Sequence, residues 1–272
     1  MMNAQDQSKR GLAAVILAAG KGTRMQSDLP KVMHEVGDRP MVHWVVDAVR
    51  ASPLEASPVA VVVGFKRETV EESFQPVPEW MTFPVQAEQL GTGHAIDMAS
   101  PLFQDETLRN ETDVMVLCGD GPLIRTETLA MMLERHTASG AAATLATARI
   151  DDPSGYGRIQ RDADGRFEKI VEQKDATPEQ LLIDEVNPSY YVFKADELFN
   201  RLSLLKNDNA NGEYYITDVF ELMKSDGLRI EVIEAVAPED ILSINNPDQL
   251  ATVDSVLRRR MVTTPREEGC NG

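Results

Sequence analysis

Two cysteines in 272 residues, Cys118 and Cys270, are too few for a disulfide framework or a thiolate-ligated zinc site. No apolar run approaches the roughly 18 residues that a membrane-spanning helix requires. The opening residues hold no apolar stretch before Leu12, so no secretory signal is expected; residues 1–12 read as a flexible tail, and the cytosol is the expected compartment. Basic side chains are scarce as well. Against 44 Asp and Glu stand 27 Lys and Arg, a formal net charge of -17. Such a chain repels polyphosphate backbones at long range, which argues against nucleic-acid binding. An anionic ligand would need local cations or a metal to overcome that field. What is present, 42% hydrophobic and 26% charged residues, is ordinary globular composition with enough length for a sizeable core.

Ala13 to Ala19 form a continuous apolar run that stops at Gly20, the pattern of a strand buried on both faces in a parallel sheet. Val59–Val63 and Asp113–Cys118 repeat the pattern, and Val85–Ala87 reads as a short further strand. Helical periodicity falls on Met41–Arg50, on Glu68–Phe74 and from Gly93 to Ala99. Alternation of strand and helix predicts an α/β fold with an open, doubly wound, mostly parallel Rossmann-like sheet. The second half changes character. Strand-like runs at Ala142–Arg149, Arg158–Arg161, Phe167–Glu172 and Tyr190–Phe193 suggest a mixed extension of the sheet with a lid-like face. Helices near Ile216–Ser225 and Pro247–Met261 bracket a strand at Arg229–Ala235, and residues 263–272 carry no pattern. One continuous domain over 13–262 follows, with a first lobe of about 13–135 and a second of about 140–245.

The most informative stretch is Leu17-Ala18-Ala19-Gly20-Lys21-Gly22-Thr23-Arg24-Met25. A Gly-rich turn at the carboxyl end of the first strand offers backbone N–H groups that cradle phosphate oxygens. Arg24 and Lys31 could fold back on the same anion as a planar fork and a point charge. Met25 stands where the dinucleotide fingerprint needs its third Gly, and the P-loop spacing is absent, so both of those readings are weak. A plain strand-to-helix turn with solvated charges is the bland alternative.

Further along stand Gln86-Ala87-Glu88-Gln89-Leu90-Gly91-Thr92-Gly93-His94-Ala95, Gly119-Asp120, Gly155-Tyr156-Gly157-Arg158-Ile159, Ile170-Val171-Glu172-Gln173-Lys174 and Asn211-Gly212-Glu213-Tyr214-Tyr215-Ile216-Thr217-Asp218. With the first loop and Leu29-Pro30-Lys31, these blocks resemble the sugar-1-phosphate nucleotidylyltransferases. Within them the chain is most similar to the uridylyltransferase domain of the bacterial bifunctional N-acetylglucosamine-1-phosphate uridylyltransferase/glucosamine-1-phosphate acetyltransferases. The likeness covers roughly residues 14 to 260. It implies a nucleotide-diphospho-sugar transferase fold with a sugar-binding lobe inserted in the second half. The implied reaction is Mg²⁺-dependent transfer of UMP from UTP to a sugar 1-phosphate, N-acetylglucosamine 1-phosphate first. It further implies that Arg24, Lys31 and Asp120 are catalytic and that Asp120 and Asn245 ligate the metal. Leu17, Ala18, Ala19, Gly20, Gly22, Thr23, Gln86, Gly91 and Thr92 would bind the nucleotide, and Gly157, Glu172 and Asn187 the sugar.

Plainer readings stand beside these. Asp120-Gly121-Pro122 is also strong turn chemistry, Asn246-Pro247 reads as a helix cap and first residue, and Glu172 could be a solvated strand-end charge. His94 is assigned no catalytic role, and Met131-Met132 reads as core. The chain departs from the family pattern at Cys118, Gly121 and Pro188-Ser189, all around the implied sugar pocket, which puts the choice of sugar in doubt. Glucose 1-phosphate or another hexose 1-phosphate is the alternative substrate. A catalytically silent nucleotide-sugar sensor is the alternative from another class, and a dehydrogenase finds no support beyond the first loop. No hexapeptide β-helix repeat follows, so acetyl transfer is not expected of this chain. Nothing in the sequence specifies an oligomeric state.

Overall fold

The computed structural model describes residues 10–25, 27–242, 244 and 246–263. The first half runs β1 (Gly11–Ala18), β2 (Glu35–Val36), β3 (Arg39–Pro40), α1 (Met41–Arg50), β4 (Val59–Val63), α2 (Arg67–Ser73), β5 (Met81–Thr82), α3 (Thr92–Asp97), α4 (Glu106–Asn110) and β6 (Thr112–Cys118). The second half runs α5 (Thr126–Ser139), β7 (Ala143–Arg149), β8 (Gly157–Arg161), β9 (Phe167–Val171), β10 (Glu185–Asn187), β11 (Tyr191–Lys194), α6 (Ala195–Leu202), α7 (Asp218–Ser225), β12 (Ile230–Glu234) and α8 (Pro247–Thr263).

β1 sits at the centre of the first half, parallel to β4 on one side and β6 on the other. Its side chains alternate between two apolar layers. Ala14, Ile16 and Ala18 pack with residues of α1 and α5, while Ala13 and Val15 pack with residues of α3, α6 and α7. This two-sided burial is why the strand reads as an unbroken apolar run; each fully buried Val or Ile contributes about 1.5–3 kcal/mol. β11 joins β6 antiparallel, and from there the sheet continues through β7, β10, β8 and β9, with β12 parallel to β7 on the side away from β10. The parallel first half and antiparallel extension together make the doubly wound, mixed α/β sheet expected from the sequence.

Three sequence expectations need correction. β1 begins at Gly11, not Ala13, because Gly11 and Leu12 pair with Thr112 and Asp113, and Arg10 bonds Asp113 at 2.6 Å. Val85–Ala87 is not a strand. The third parallel strand is Met81–Thr82, and the later segment keeps only a bridge between Val63 and Val85. Pro84 has no N–H to continue the ladder, and the chain turns away after Gln86 to build a pocket wall. α5 and α6 were not anticipated. In α5 the buried stripe is Leu129, Met132 and His136, so its third position is polar, held by a His136 Nδ1 to Thr144 Oγ1 contact of 2.9 Å. Met132 is core as expected, whereas Met131 is only partly buried.

A third apolar cluster clamps the segment after β1. Met25, Val36, Met41 and Leu123 pack against Val253, Val256 and Leu257 of α8. Asp254 accepts from the Gly37 N–H at 2.8 Å, and Arg258 pairs with Asp38 at 2.7 Å. α8 therefore anchors the two flanks of the loop that carries Arg24 and Lys31.

Candidate active site

Two pockets open at the carboxyl ends of β1 and β6, where a doubly wound sheet binds its ligands. They are adjacent because Leu17, on the wall of one, is the register partner of Cys118, on the wall of the other. The Gly119 N–H donates to the Leu17 carbonyl at 2.9 Å, and a Cβ on Gly119 would lie 2.9 Å from that same oxygen. The strand ends are thereby held too close for any side chain at 119.

Asp120 follows directly, and its carboxylate forms an ion pair with the Lys31 ammonium. Both side chains are about one-fifth exposed, at 21% and 18%. The loop that brings Lys31 there depends on Gly22, which has φ +66; a Cβ at 22 would lie 2.7 Å from Lys31 Cβ. Thr23 and Arg24 are exposed on the short 3-10 turn Thr23–Met25 of the same loop. Asn245, the other expected metal ligand, lies outside the described residues. Its neighbour Asn246 is the cap anticipated for α8, with Oδ1 accepting from the Gln249 N–H at 2.9 Å ahead of Pro247.

The first pocket, of about 200 Å³, brings together six of the expected nucleotide residues: Leu17, Ala19, Gly20, Gln86, Gly91 and Thr92. Ala18 points its side chain into the core and offers only backbone. Sequence reasoning missed Gln89, whose Nε2 donates to the Ala19 carbonyl at 2.7 Å, and Glu213, which reaches the same pocket from a distant loop. Gly91 has φ +114, and a Cβ there would strike the Tyr214 carbonyl at 2.6 Å, so the 90–93 turn and the 213–215 segment meet without clearance.

The second pocket, of about 190 Å³, holds Asp120, Gly157, Glu172 and Asn187. The close approach of the last three is direct: a Cβ on Gly157 would sit 3.6 Å from Asn187 Cβ and 3.7 Å from Glu172 Oε1. Asn187 is buried, donating to the Tyr191 hydroxyl at 2.7 Å and accepting from the Ser189 N–H at 3.1 Å. The Thr217 hydroxyl donates to Glu172 at 3.1 Å. Cys118, Gly121, Pro188 and Ser189, the positions that depart from the family pattern, all line this pocket. Tyr156 and Tyr190 complete it and were not foreseen; their hydroxyls donate to the carbonyls of Ile241 at 2.7 Å and Asp240 at 3.0 Å. Asp240 is itself buried and held by Arg125 at 2.7 Å and by Arg260. No sequence signal linked 156, 190 and 240, because only tertiary packing brings them together.

Burial sets the electrostatics. Desolvation pushes the Glu172 carboxyl up, partly opposed by the Thr217 hydrogen bond. Burial, then the negative charge of Asp120, pushes the Cys118 thiol up to about 12, so it is a neutral wall group rather than a nucleophile. Asp218, the first residue of α7, is pushed up to about 6 by burial and then by Glu221, Glu172, Asp208 and Asp175. A folded-state value above the ordinary 3.8 means that the native state keeps its proton longer, so this group's contribution to stability falls between about pH 4 and pH 6. Asp218→Asn should abolish that fall. Because the carboxyl is only half-buried, solvent screening limits the gain at pH 7 to on the order of 1 kcal/mol. Thermal melts at pH 4.5 and pH 7 check this: the variant's gain should be larger at pH 7 than at pH 4.5.

The partly exposed Asp120 carboxylate on the wall of the second pocket supplies hard oxygen donors. That set suits Mg²⁺, which prefers few protein ligands and several phosphate oxygens. Among the described residues no group of three His, Cys, Asp or Glu converges into a protein cage.

A nucleotidyl transferase family model matches residues 13–241, and the chain belongs to that family. It is 46% identical over 250 residues to the bifunctional protein GlmU of Geobacter metallireducens, an overlap that covers 92% of this chain and 51% of that protein. To the bifunctional protein GlmU of Pelotomaculum thermopropionicum it is 45% identical over 258 residues, covering 95% of this chain and 54% of that protein. The chain thus spans about half the length of these curated relatives. Among solved structures, a UDP-glucose pyrophosphorylase complexed with UDP-glucose matches with a TM-score of 0.72 at 18% identity, covering 92% of this chain and 99% of that one. At that identity the likeness is one of fold.

Proposed function

We propose that the chain catalyses transfer of UMP from UTP to N-acetylglucosamine 1-phosphate, forming UDP-N-acetylglucosamine and pyrophosphate with Mg²⁺ as cofactor. The observation that carries the proposal is the Lys31–Asp120 pair, whose carboxylate lines the second pocket directly after the β6 strand end that pairs with Leu17 of the first. The resemblance of the motif blocks and the similarity to GlmU proteins support it.

In this reading the first pocket takes the base, and the Gly20–Arg24 loop takes the triphosphate. Glu172 and Asn187 take the hydroxyl and amide groups of the sugar. An oxygen of the sugar phosphate attacks the α-phosphorus of UTP, a new P–O bond forms, and the bond to the bridging oxygen of pyrophosphate breaks. No covalent enzyme intermediate is needed, so catalysis rests on positioning and charge neutralisation. Lys31 and Arg24 offset charge on the phosphates. Asp120 and Asn245 would hold the Mg²⁺, which when bound supplies the neutralisation that two basic side chains cannot. A cationic cluster of this kind is what a chain of net charge -17 requires to admit two anionic substrates.

The test is pyrophosphate release from UTP with a panel of sugar 1-phosphates. Glu172→Gln adds a residue-level check. It keeps the shape but replaces an acceptor by a donor, so KM for the sugar 1-phosphate should rise about 10- to 100-fold while KM for UTP stays within about twofold. Equal effects on both substrates would remove Glu172 from the sugar site.

A further inference from the structure

The base pocket contains a hydrogen-bond arrangement that fixes which way one carboxamide points. Gln86 is 4% exposed and lines that pocket. Its Nε2 lies 3.0 Å from the Gly91 carbonyl and 3.1 Å from His94 Nδ1. A carbonyl oxygen only accepts, so the Gln86 atom facing Gly91 must be the nitrogen. That nitrogen has two hydrogens, and the second points at His94. The Nδ1 of His94 is therefore the acceptor, and the ring proton of the neutral imidazole sits on Nε2. Both donors of Gln86 are then used inside the protein. Its Oε1 has no hydrogen-bond partner among the described residues and belongs to the pocket wall.

We propose that His94 is a positioning residue that locks the Gln86 carboxamide with its oxygen toward the base, so that the pocket selects a pyrimidine with a ring N–H, uracil, over cytosine. The inference rests on the base-pocket reading above. Uracil places its imide N–H against the waiting oxygen, whereas cytosine places a ring lone pair at the same position, setting acceptor against acceptor. Gly91 alone is a weaker lock, because its carbonyl also accepts from the Ala95 N–H at 3.1 Å. The His94 contact removes the second donor and with it the alternative flip. α3 carries both the Ala95 N–H and the imidazole, and the Gly93 N–H to Tyr214 carbonyl bond of 2.7 Å ties its start to the opposite wall.

Steady-state kinetics at saturating sugar 1-phosphate, with UTP and CTP as alternative substrates, test this. His94→Leu removes the acceptor and should raise KM for UTP about tenfold, with kcat within about threefold. The preference for UTP over CTP in kcat/KM should fall about tenfold or more. His94→Asn places its carbonyl oxygen near the position of Nδ1 and should restore most of that preference; His94→Ala serves should the Leu variant fail to fold. An unchanged preference in His94→Leu or His94→Ala overturns the proposal. So does an equal loss for both nucleotides that His94→Asn does not rescue, which is the mark of a packing role. Gln86→Ala separates the two levels: if it leaves the UTP preference intact, the base pocket itself is misassigned and the positioning role falls with it.

Discussion

Asp120→Asn is expected to lower turnover about a thousandfold while the protein stays folded. The carboxylate is partly exposed, and an ion pair at such a site contributes only about 0–1 kcal/mol to stability, so the melting temperature should barely move. Its effect on the reaction is of a different size. In the proposed function Asp120 would hold a divalent cation, which when bound would supply neutralisation of the phosphate charge that rises as pyrophosphate leaves. Weakening that neutralisation costs about 4 kcal/mol at the transition state. The amide keeps one oxygen in place, so binding of the base and sugar should persist. Circular dichroism melts and single-turnover rates check both halves. Near-normal turnover would remove Asp120 from the chemistry.

Lys31→Met should cost about a hundredfold in turnover, again without unfolding the chain. The ammonium is the point charge closest to Asp120, and the Gly22 backbone packs against its stem. Lys31→Arg is expected to rescue poorly, because a planar guanidinium fork does not reproduce the compact point charge that pairs with Asp120. The losses in Lys31→Met and Asp120→Asn should not add. Each variant leaves the partner charge unbalanced, so the double variant should lose less than the product of the two single effects. Strict additivity would mean that the pair acts on the substrate through separate routes.

Much of the first half is legible in sequence for one physical reason. β1, β4 and β6 are buried on both faces, which forces unbroken apolar runs, and α1 shows a clean stripe through Met41, Val42, Val45, Val46 and Val49. What was misread lies where polar function interrupts the pattern. His136 breaks the stripe of α5, and Gln86 belongs to a pocket wall rather than a strand. The family resemblance assigned ten of the residues that line the two pockets, but not what holds them. Tyr156 and Tyr190 reach the carbonyls of residues 241 and 240 across most of the second half of the chain. His94 drew no role from its position at a helix start, because its significance lies in a proton location that only the Gln86 and Gly91 geometry fixes.

The most direct test is the rate of pyrophosphate release from UTP and Mg²⁺ with N-acetylglucosamine 1-phosphate, compared with glucose 1-phosphate under the same conditions. The proposed specificity predicts fastest turnover with the N-acetylated sugar and little without the metal. Faster turnover with glucose 1-phosphate would contradict the assigned sugar, and no turnover with any sugar 1-phosphate would contradict the assigned reaction.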